Sequence, residues 1–239
     1  MKCNVERMIE ALIASEVAAQ RKADEDRASA TRRATYVVTV SRGYGSLGKK
    51  IGQALADKLG VRCCDRTILQ EVARRADVDT RLVEALDERI RHIKGDWWQS
   101  LFSEKTYLQE RYLKHLVKVI LNISEKGGVI IGRGAHLILG PARCFRVRIT
   151  GTPEICAARI AERKAIDLDA ARKRVVRVNG ERAEYIRRLY DVDIGDDSHY
   201  DLAINTDRFD IKQSLMLILH GMQLAGYELT PALRKAACA

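Results

Sequence analysis

Thr39-Val-Ser-Arg-Gly-Tyr-Gly-Ser-Leu-Gly-Lys-Lys-Ile-Gly52 is the stretch from which the organisation of this chain can be read. An apolar run from Tyr36 to Val40 stops at a glycine-rich turn, and a helical pattern follows. Gly43, Gly48 and Lys49 fit the phosphate-loop spacing G-x-x-x-x-G-K, with a further glycine at Gly45. In such a loop, glycines let backbone N–H groups converge on an anion, and the next helix presents its positive dipole end to it. Gly43, Gly45, Ser46, Gly48, Lys49 and Lys50 are therefore the candidate residues for a phosphate-bearing cofactor, with Lys49 reaching its terminal phosphates. Lys50 stands where a Ser or Thr hydroxyl would meet Mg²⁺. The plainer alternative is a glycine-rich turn with a solvated lysine.

Outward from this loop, short apolar strands alternate with helices. Strands are predicted at Thr35 to Ser41, Val61 to Cys64, Val129 to Ile131, Cys144 to Ile149 and Tyr200 to Asn205. The first helix runs from Gly48 to about Leu59, with Ile51, Leu55 and Leu59 inward and Gly60 as its C-cap. Pro153 opens a helix to about Lys164, Asp169 to Tyr190 is a very basic helix or pair of helices, and Ile211 to about Leu224 closes the fold. Five such strands argue an α/β fold with a parallel sheet and helices on both faces. Ligands then bind beyond the carboxyl ends of the strands, where Gly43 to Lys49, Asp65, Arg133 and Thr150-Gly151 all fall. The phosphate loop thus has its required context of strand, loop and helix.

At 239 residues the chain suits one medium domain. Residues 1–33 stand apart: Val5, Met8, Ile9, Leu12, Ile13 and Val17 form the stripe of an amphipathic helix, followed by a polar linker. A helix docked on its own domain, or on a second copy to form a homodimer, is the reading of that stripe. The main domain is placed at 34–227 and a tail at 228–239. No run is long enough to cross a bilayer and no signal-peptide pattern opens the chain, which points to a cytoplasmic protein. The six cysteines lack C-x-x-C or metal-ligand spacing, as suits reduced core thiols, and no metal site is read from them. A net charge of +10 admits a nucleic-acid surface or an arginine-lined cleft for small polyanions. Without an aromatic platform or a nucleic-acid module, the cleft is the better reading, and neither nucleic acid nor membrane is an expected partner.

Three further clusters carry chemistry. Asp65, directly after the second strand, either orients a substrate or a metal-bound water, or caps the helix that follows. Arg133 sits between Gly132 and Gly134, where a guanidinium fork suits phosphate. Arg159, Arg163, Arg174, Arg177, Arg182, Arg187 and Arg188 form a basic segment in which several must simply line a solvated face.

Ser41 to Ile51, Cys64-Asp65, Val129-Ile-Ile-Gly-Arg-Gly-Ala135 and Tyr200-Asp-Leu-Ala-Ile-Asn-Thr206 together resemble the cytidylate kinase-like proteins, relatives of the P-loop nucleoside monophosphate kinases. The resemblance covers roughly residues 35 to 225. It implies a five-stranded parallel sheet of P-loop kinase type, a helical substrate-binding insertion at 66–127 and an arginine-rich lid at 160–198. It implies ATP as cofactor with Mg²⁺, and nucleotide substrates, most simply CMP or dCMP as acceptor. By the same resemblance Arg133 and Asp65 meet the acceptor, Arg159 and Arg163 lead into the lid on the cofactor side, and Arg177 and Arg182 join Lys49 and Arg133 in catalysis. Three positions depart from the family pattern: Lys50, Ile131 in place of an aspartate, and Leu47 in place of a common glycine. They keep open an alternative, a nucleotide-binding regulatory or scaffolding module with little or no turnover. A nucleic-acid binder rests on charge alone.

Overall fold

Val37–Arg42 forms β1, a run of β-branched residues buried from both faces until its last position. The chain then passes through the glycine-rich loop into α1 (Gly48–Leu59), which ends on Gly60 in the left-handed conformation. Arg62–Cys64 is β2, Phe102–Lys126 α2, Gly128–Ile131 β3 and Ala135–Leu139 the short α3. β4 (Phe145–Thr150), α4 (Pro153–Lys164) and α5 (Leu168–Tyr190) follow. A 3₁₀ turn at Asp197–His199, β5 (Leu202–Asn205), α6 (Ile211–Leu224) and α7 (Pro231–Cys238) complete the order. In this computed structural model residues 36–65 and 102–238 are described, with Ala11, Ala14, Ile68 and Gln70 besides. The amphipathic stripe of residues 1–33 and most of the first part of the 66–127 segment, Trp97 and Trp98 included, lie outside the described residues.

The five strands make one parallel sheet in the order β2-β3-β1-β4-β5. β1 is central, with Val38 opposite both Val129 and Phe145. A parallel sheet must be crossed over by helices, and these cover both faces. Val38, Val40, Val129, Ile131, Phe145, Val147 and Ile149 pack under α1, α6 and α7. Val37 and Ile130 on the opposite face meet α2, α3 and the C-terminal half of α5. A smaller cluster joins Cys156, Ala157 and Ile160 of α4 to Ala171 and Val175 of α5, against Tyr44.

The α/β sheet with helices on both faces is the expected one, and α1, α4 and α6 fall at the predicted bounds. The basic segment, left open as one helix or two, is a single helix of 23 residues, capped by Asp167 on the Ala170 N–H at 2.8 Å. Residues 228–239, set apart as a tail, contain α7, and Leu229, Leu233 and Ala237 are buried in the core. Because every strand runs the same way, all carboxyl ends open on one edge. The loops that follow β1, β2, β3, β4 and β5 meet there.

Candidate active site

The loop after β1 is held in shape from below. The Gly43 N–H donates to the Ile149 carbonyl at 2.9 Å. Ser46 is fully buried, and its hydroxyl lies 3.0 Å from both the Gly43 and Ile149 carbonyl oxygens. Ser46 is expected among the cofactor contacts; its hydroxyl points into the protein and braces the loop. Thr206, beyond β5, donates within reach of the Ser46 carbonyl at 3.1 Å and the Thr150 carbonyl at 2.9 Å. Gly45 has φ +90°, and a Cβ there would come within 2.6 Å of the Cys156 carbonyl oxygen, so only glycine fits. Leu47 also takes a left-handed φ of 61°, which glycine would adopt without strain.

Lys49 and Lys50 follow in the first turn of α1, both exposed. Lys49 Nζ lies 2.9 Å from Asp65 Oδ2, and Arg42 Nη2 lies 3.8 Å from Asp65 Oδ1. The cap role open for Asp65 falls on a helix start outside the described residues; within them its carboxylate stands between two cations. Arg42, the last residue of β1, was not anticipated. The one signal in the sequence is its position, an arginine ending a buried apolar strand immediately before the first loop glycine.

Beside the loop a cleft of about 120 Å³ opens between the ends of β1 and β3 and the middle of α5. Arg42, Arg133 and Arg182 supply three guanidinium groups, with Glu181, His136 and Tyr185 among the other lining residues. Arg133 sits at φ 60° between Gly132 (φ 80°) and Gly134 (φ 68°), so the segment is a run of three left-handed residues. Its guanidinium lies 5.9 Å from the centre of the Tyr185 ring, a cation–π distance.

The remaining predicted arginines divide. Arg182 donates to the Arg42 carbonyl at 2.9 Å and lies over the Tyr44 ring at 5.8 Å, so it spans loop and cleft. Arg163 stacks over the same ring at 5.8 Å. Asn179, also unanticipated, accepts the Tyr44 N–H at 2.8 Å, so α5 touches the phosphate loop directly. Arg159 is turned inward, donating to the Thr206 carbonyl at 2.6 Å and hydroxyl at 3.1 Å, and to Gly45 at 3.5 Å. It braces the loop in the way Ser46 does. Arg177 does not line the cleft; it is exposed and reaches the cleft's edge through its pair with the lining residue Glu181 at 2.6 Å.

Behind Ser41, which lines the cleft, one face of the β1–β4 pair is polar. Thr39 is opposite Arg146 and Ser41 opposite Arg148. Arg146 is held by Asp201 at 2.6 Å, and Arg148 by Ile194 and Tyr200. His136, 4 % exposed, stacks on Tyr200 with ring centres 4.8 Å apart, and its Nε2 has no hydrogen-bond partner among the described residues. Burial above all, then the charge of His199, Arg146 and Arg148, pushes the imidazole pKa from 6.5 down to about 3, so the ring is neutral.

A polyphosphate fits this arrangement: a glycine cradle at a helix N-terminus, an exposed lysine, and a guanidinium-lined cleft next to it. Mg²⁺ fits it poorly. Position 50 is a lysine, the Ser46 hydroxyl is turned inward, and no group of three His, Cys, Asp or Glu is placed to hold a metal among the described residues. Among those residues, no helix is long and apolar enough to cross a membrane.

The sequence profile of the cytidylate kinase-like family matches residues 37–208. The cytidylate kinase of Methanocaldococcus jannaschii is 23 % identical over 181 residues, 74 % of this chain and 91 % of that protein. The structure of an uncharacterised protein from Eubacterium ventriosum superposes with a TM-score of 0.59 at 18 % identity, covering 79 % of this chain and 98 % of the other. A shikimate kinase from Bacteroides thetaiotaomicron superposes with a TM-score of 0.43 at 14 % identity, over 80 % of this chain and 98 % of its own. The family match spans β1 to the loop after β5 and so contains the phosphate loop, Asp65 and the whole cleft: the chain belongs to the cytidylate kinase-like family.

Proposed function

We propose that the protein transfers a phosphoryl group from ATP to a small phosphate-bearing acceptor, with CMP or dCMP the first acceptors to test. One observation carries this: the phosphate loop and a cleft lined by three arginines open side by side on the carboxyl edge of the sheet. Donor phosphates on Gly43 to Lys49 and an acceptor phosphate in the cleft would then meet near Lys49. Charge developing on the transferring phosphoryl oxygens is stabilised by fixed cations, so positioning and clamping supply the catalysis and no protein nucleophile is needed. Lys49 neutralises the donor end; Arg133 and Arg182 hold the acceptor end. Arg182 and Arg163 on the Tyr44 ring, with Asn179 on its N–H, act as the inner side of a lid that keeps water, the competing acceptor, out. Arg177 acts at the outer side, through its pair with Glu181. Among the described residues Mg²⁺ finds no ligand set, so no step here is routed through the ion. The free, unpaired cysteines among the described residues suit a reducing cytoplasm.

The test is incubation with ATP, Mg²⁺ and a panel of nucleoside monophosphates, scored for diphosphate products. Failure to form any, together with failure to bind ATP, rejects the reading. A second reading is favoured by Lys50 and Ile131: a nucleotide-binding module with little turnover. Turnover that disappears in Lys49→Ala would argue against it.

A further inference from the structure

Arg42 has no task in the phosphate-loop pattern, yet the fold is built around its side chain. Two glycines from different loops make room for it. A Cβ on Gly48 would come within 2.5 Å of Arg42 Cβ and 3.2 Å of its Cγ. A Cβ on Gly132, in the loop after β3, would overlap Arg42 Nη1. The stem of Arg42 therefore crosses the phosphate loop, and its head lies on the loop that carries Arg133. Any side chain at either glycine would displace it.

The charge arrangement points the same way. Asp65 Oδ2 is 2.9 Å from Lys49 Nζ, whereas Asp65 Oδ1 is 3.8 Å from Arg42 Nη2, beyond hydrogen-bond length. One carboxylate thus serves two cations where the loop meets the cleft. Arg133 and Arg182 line the same cleft, whose carboxylate Glu181 is paired with Arg177. Guanidinium forks gathered on one cleft suit an oxyanion, which each can hold by two parallel hydrogen bonds. The Arg42 side chain is 21 % exposed, so its head can be reached from the cleft it lines.

We propose that Arg42 is a phosphate-binding residue, whose guanidinium, passed between Gly48 and Gly132, holds the acceptor's phosphate at the junction of cleft and phosphate loop. Assigning that phosphate to the acceptor rests on the phosphoryl-transfer reading; the binding of a phosphate by Arg42 does not. A planar fork can hold two oxygens of a tetrahedral oxyanion while Arg133 holds another.

The probe is inorganic phosphate, titrated calorimetrically into the full chain. Lys49→Ala removes the loop's lysine and leaves Arg42 and the other cleft arginines in place, so that the Arg42 variants report the guanidinium contribution. In that background phosphate should still bind, Arg42→Gln should weaken it at least tenfold, and Arg42→Lys should restore it only in part, because an ammonium lacks the fork. Retained affinity in both Arg42 variants, or no phosphate binding by Lys49→Ala, overturns the proposal. If Arg42→Gln fails to fold, phenylglyoxal labelling of the unaltered chain, read by peptide mass spectrometry, takes its place. Phosphate should protect Arg42, and labelling indifferent to phosphate overturns the assignment. The kinase reading fails separately: absence of diphosphate product alongside Arg42-dependent phosphate binding would reject that reading and leave Arg42 as a phosphate ligand.

Discussion

The Tyr190 hydroxyl donates to the Arg133 carbonyl oxygen at 2.7 Å, and the Tyr190 ring fills the space where Gly134 has no side chain. The end of α5 thereby fixes the left-handed turn that aims Arg133 into the cleft. Tyr190→Phe keeps the ring and removes the bond, so it should cost about 1 kcal/mol of stability. It should raise the acceptor KM severalfold while ATP affinity holds, as read by denaturant melts and steady-state kinetics. Gly134→Ala is the harsher change, since φ is +68° and a Cβ would strike the ring. It should destabilise by more than about 2 kcal/mol.

Asp65 pairs with Lys49 at 2.9 Å, and on the proposed reading it would compete there with phosphate. The pair is largely exposed on the lysine side (72 %), so its net contribution is small, about 0.2–1 kcal/mol. Asp65→Asn should therefore tighten ATP binding by no more than severalfold, and the gain should shrink as salt is raised. Calorimetry at two ionic strengths checks this. Weaker ATP binding in Asp65→Asn would mean that the carboxylate positions Lys49 instead of competing for it.

Gly45→Ala tests the loop itself. The backbone there sits at φ +90°, and the added methyl meets the Cys156 carbonyl oxygen, which belongs to α4 and has little room to yield. The variant should lose more than about 3 kcal/mol of stability, or fold with a displaced loop that no longer binds ATP. Thermal melting with and without ATP separates the two, because a ligand of the folded state raises the melting temperature. An unaltered ATP-dependent shift would show that the loop can relax.

The buried His136 gives a pH dependence with a definite sign. Its folded pKa, about 3, is below the ordinary 6.5, so between those values the unfolded chain binds a proton that the folded one refuses. Its contribution is complete above pH 6.5 and is lost as the pH falls toward 3. One proton corresponds to a slope of about 1.4 kcal/mol per pH unit within that window. His136→Gln should flatten the decline by up to that amount in denaturant melts at stepped pH. An equal slope in both proteins would mean that other groups govern acid unfolding.

Much of the scaffold was legible because it depends on neighbours in the chain. The G-x-x-x-x-G-K spacing, the β-branched run before it, Gly60 after α1 and Pro153 before α4 each act within a few residues. The short α3 was missed because five residues between Gly134 and Gly140 are too few to show a helical period. For α7, Leu229 and Leu233 carry too weak a pattern until the Phe145 side of the sheet is there to bury them. Among the arginines, residue type marked the segment as phosphate-handling. It could not separate Arg182, which reaches the cleft, from Arg159, which braces Thr206, or Arg177, which only pairs with the cleft residue Glu181.

By itself, then, the sequence determined that a glycine loop follows an apolar strand, that strands alternate with helices, and that cations cluster at strand ends. Backbone conformation and hydrophobic period are local, so a linear pattern can specify them. The tertiary structure alone decided what each long side chain faces. Arg42 runs between Gly48 and Gly132 and meets Asp65 only because the parallel sheet sets β1 beside β3 and β3 beside β2. The direction of a guanidinium follows from the packing of segments far apart in the chain, and no local period records it.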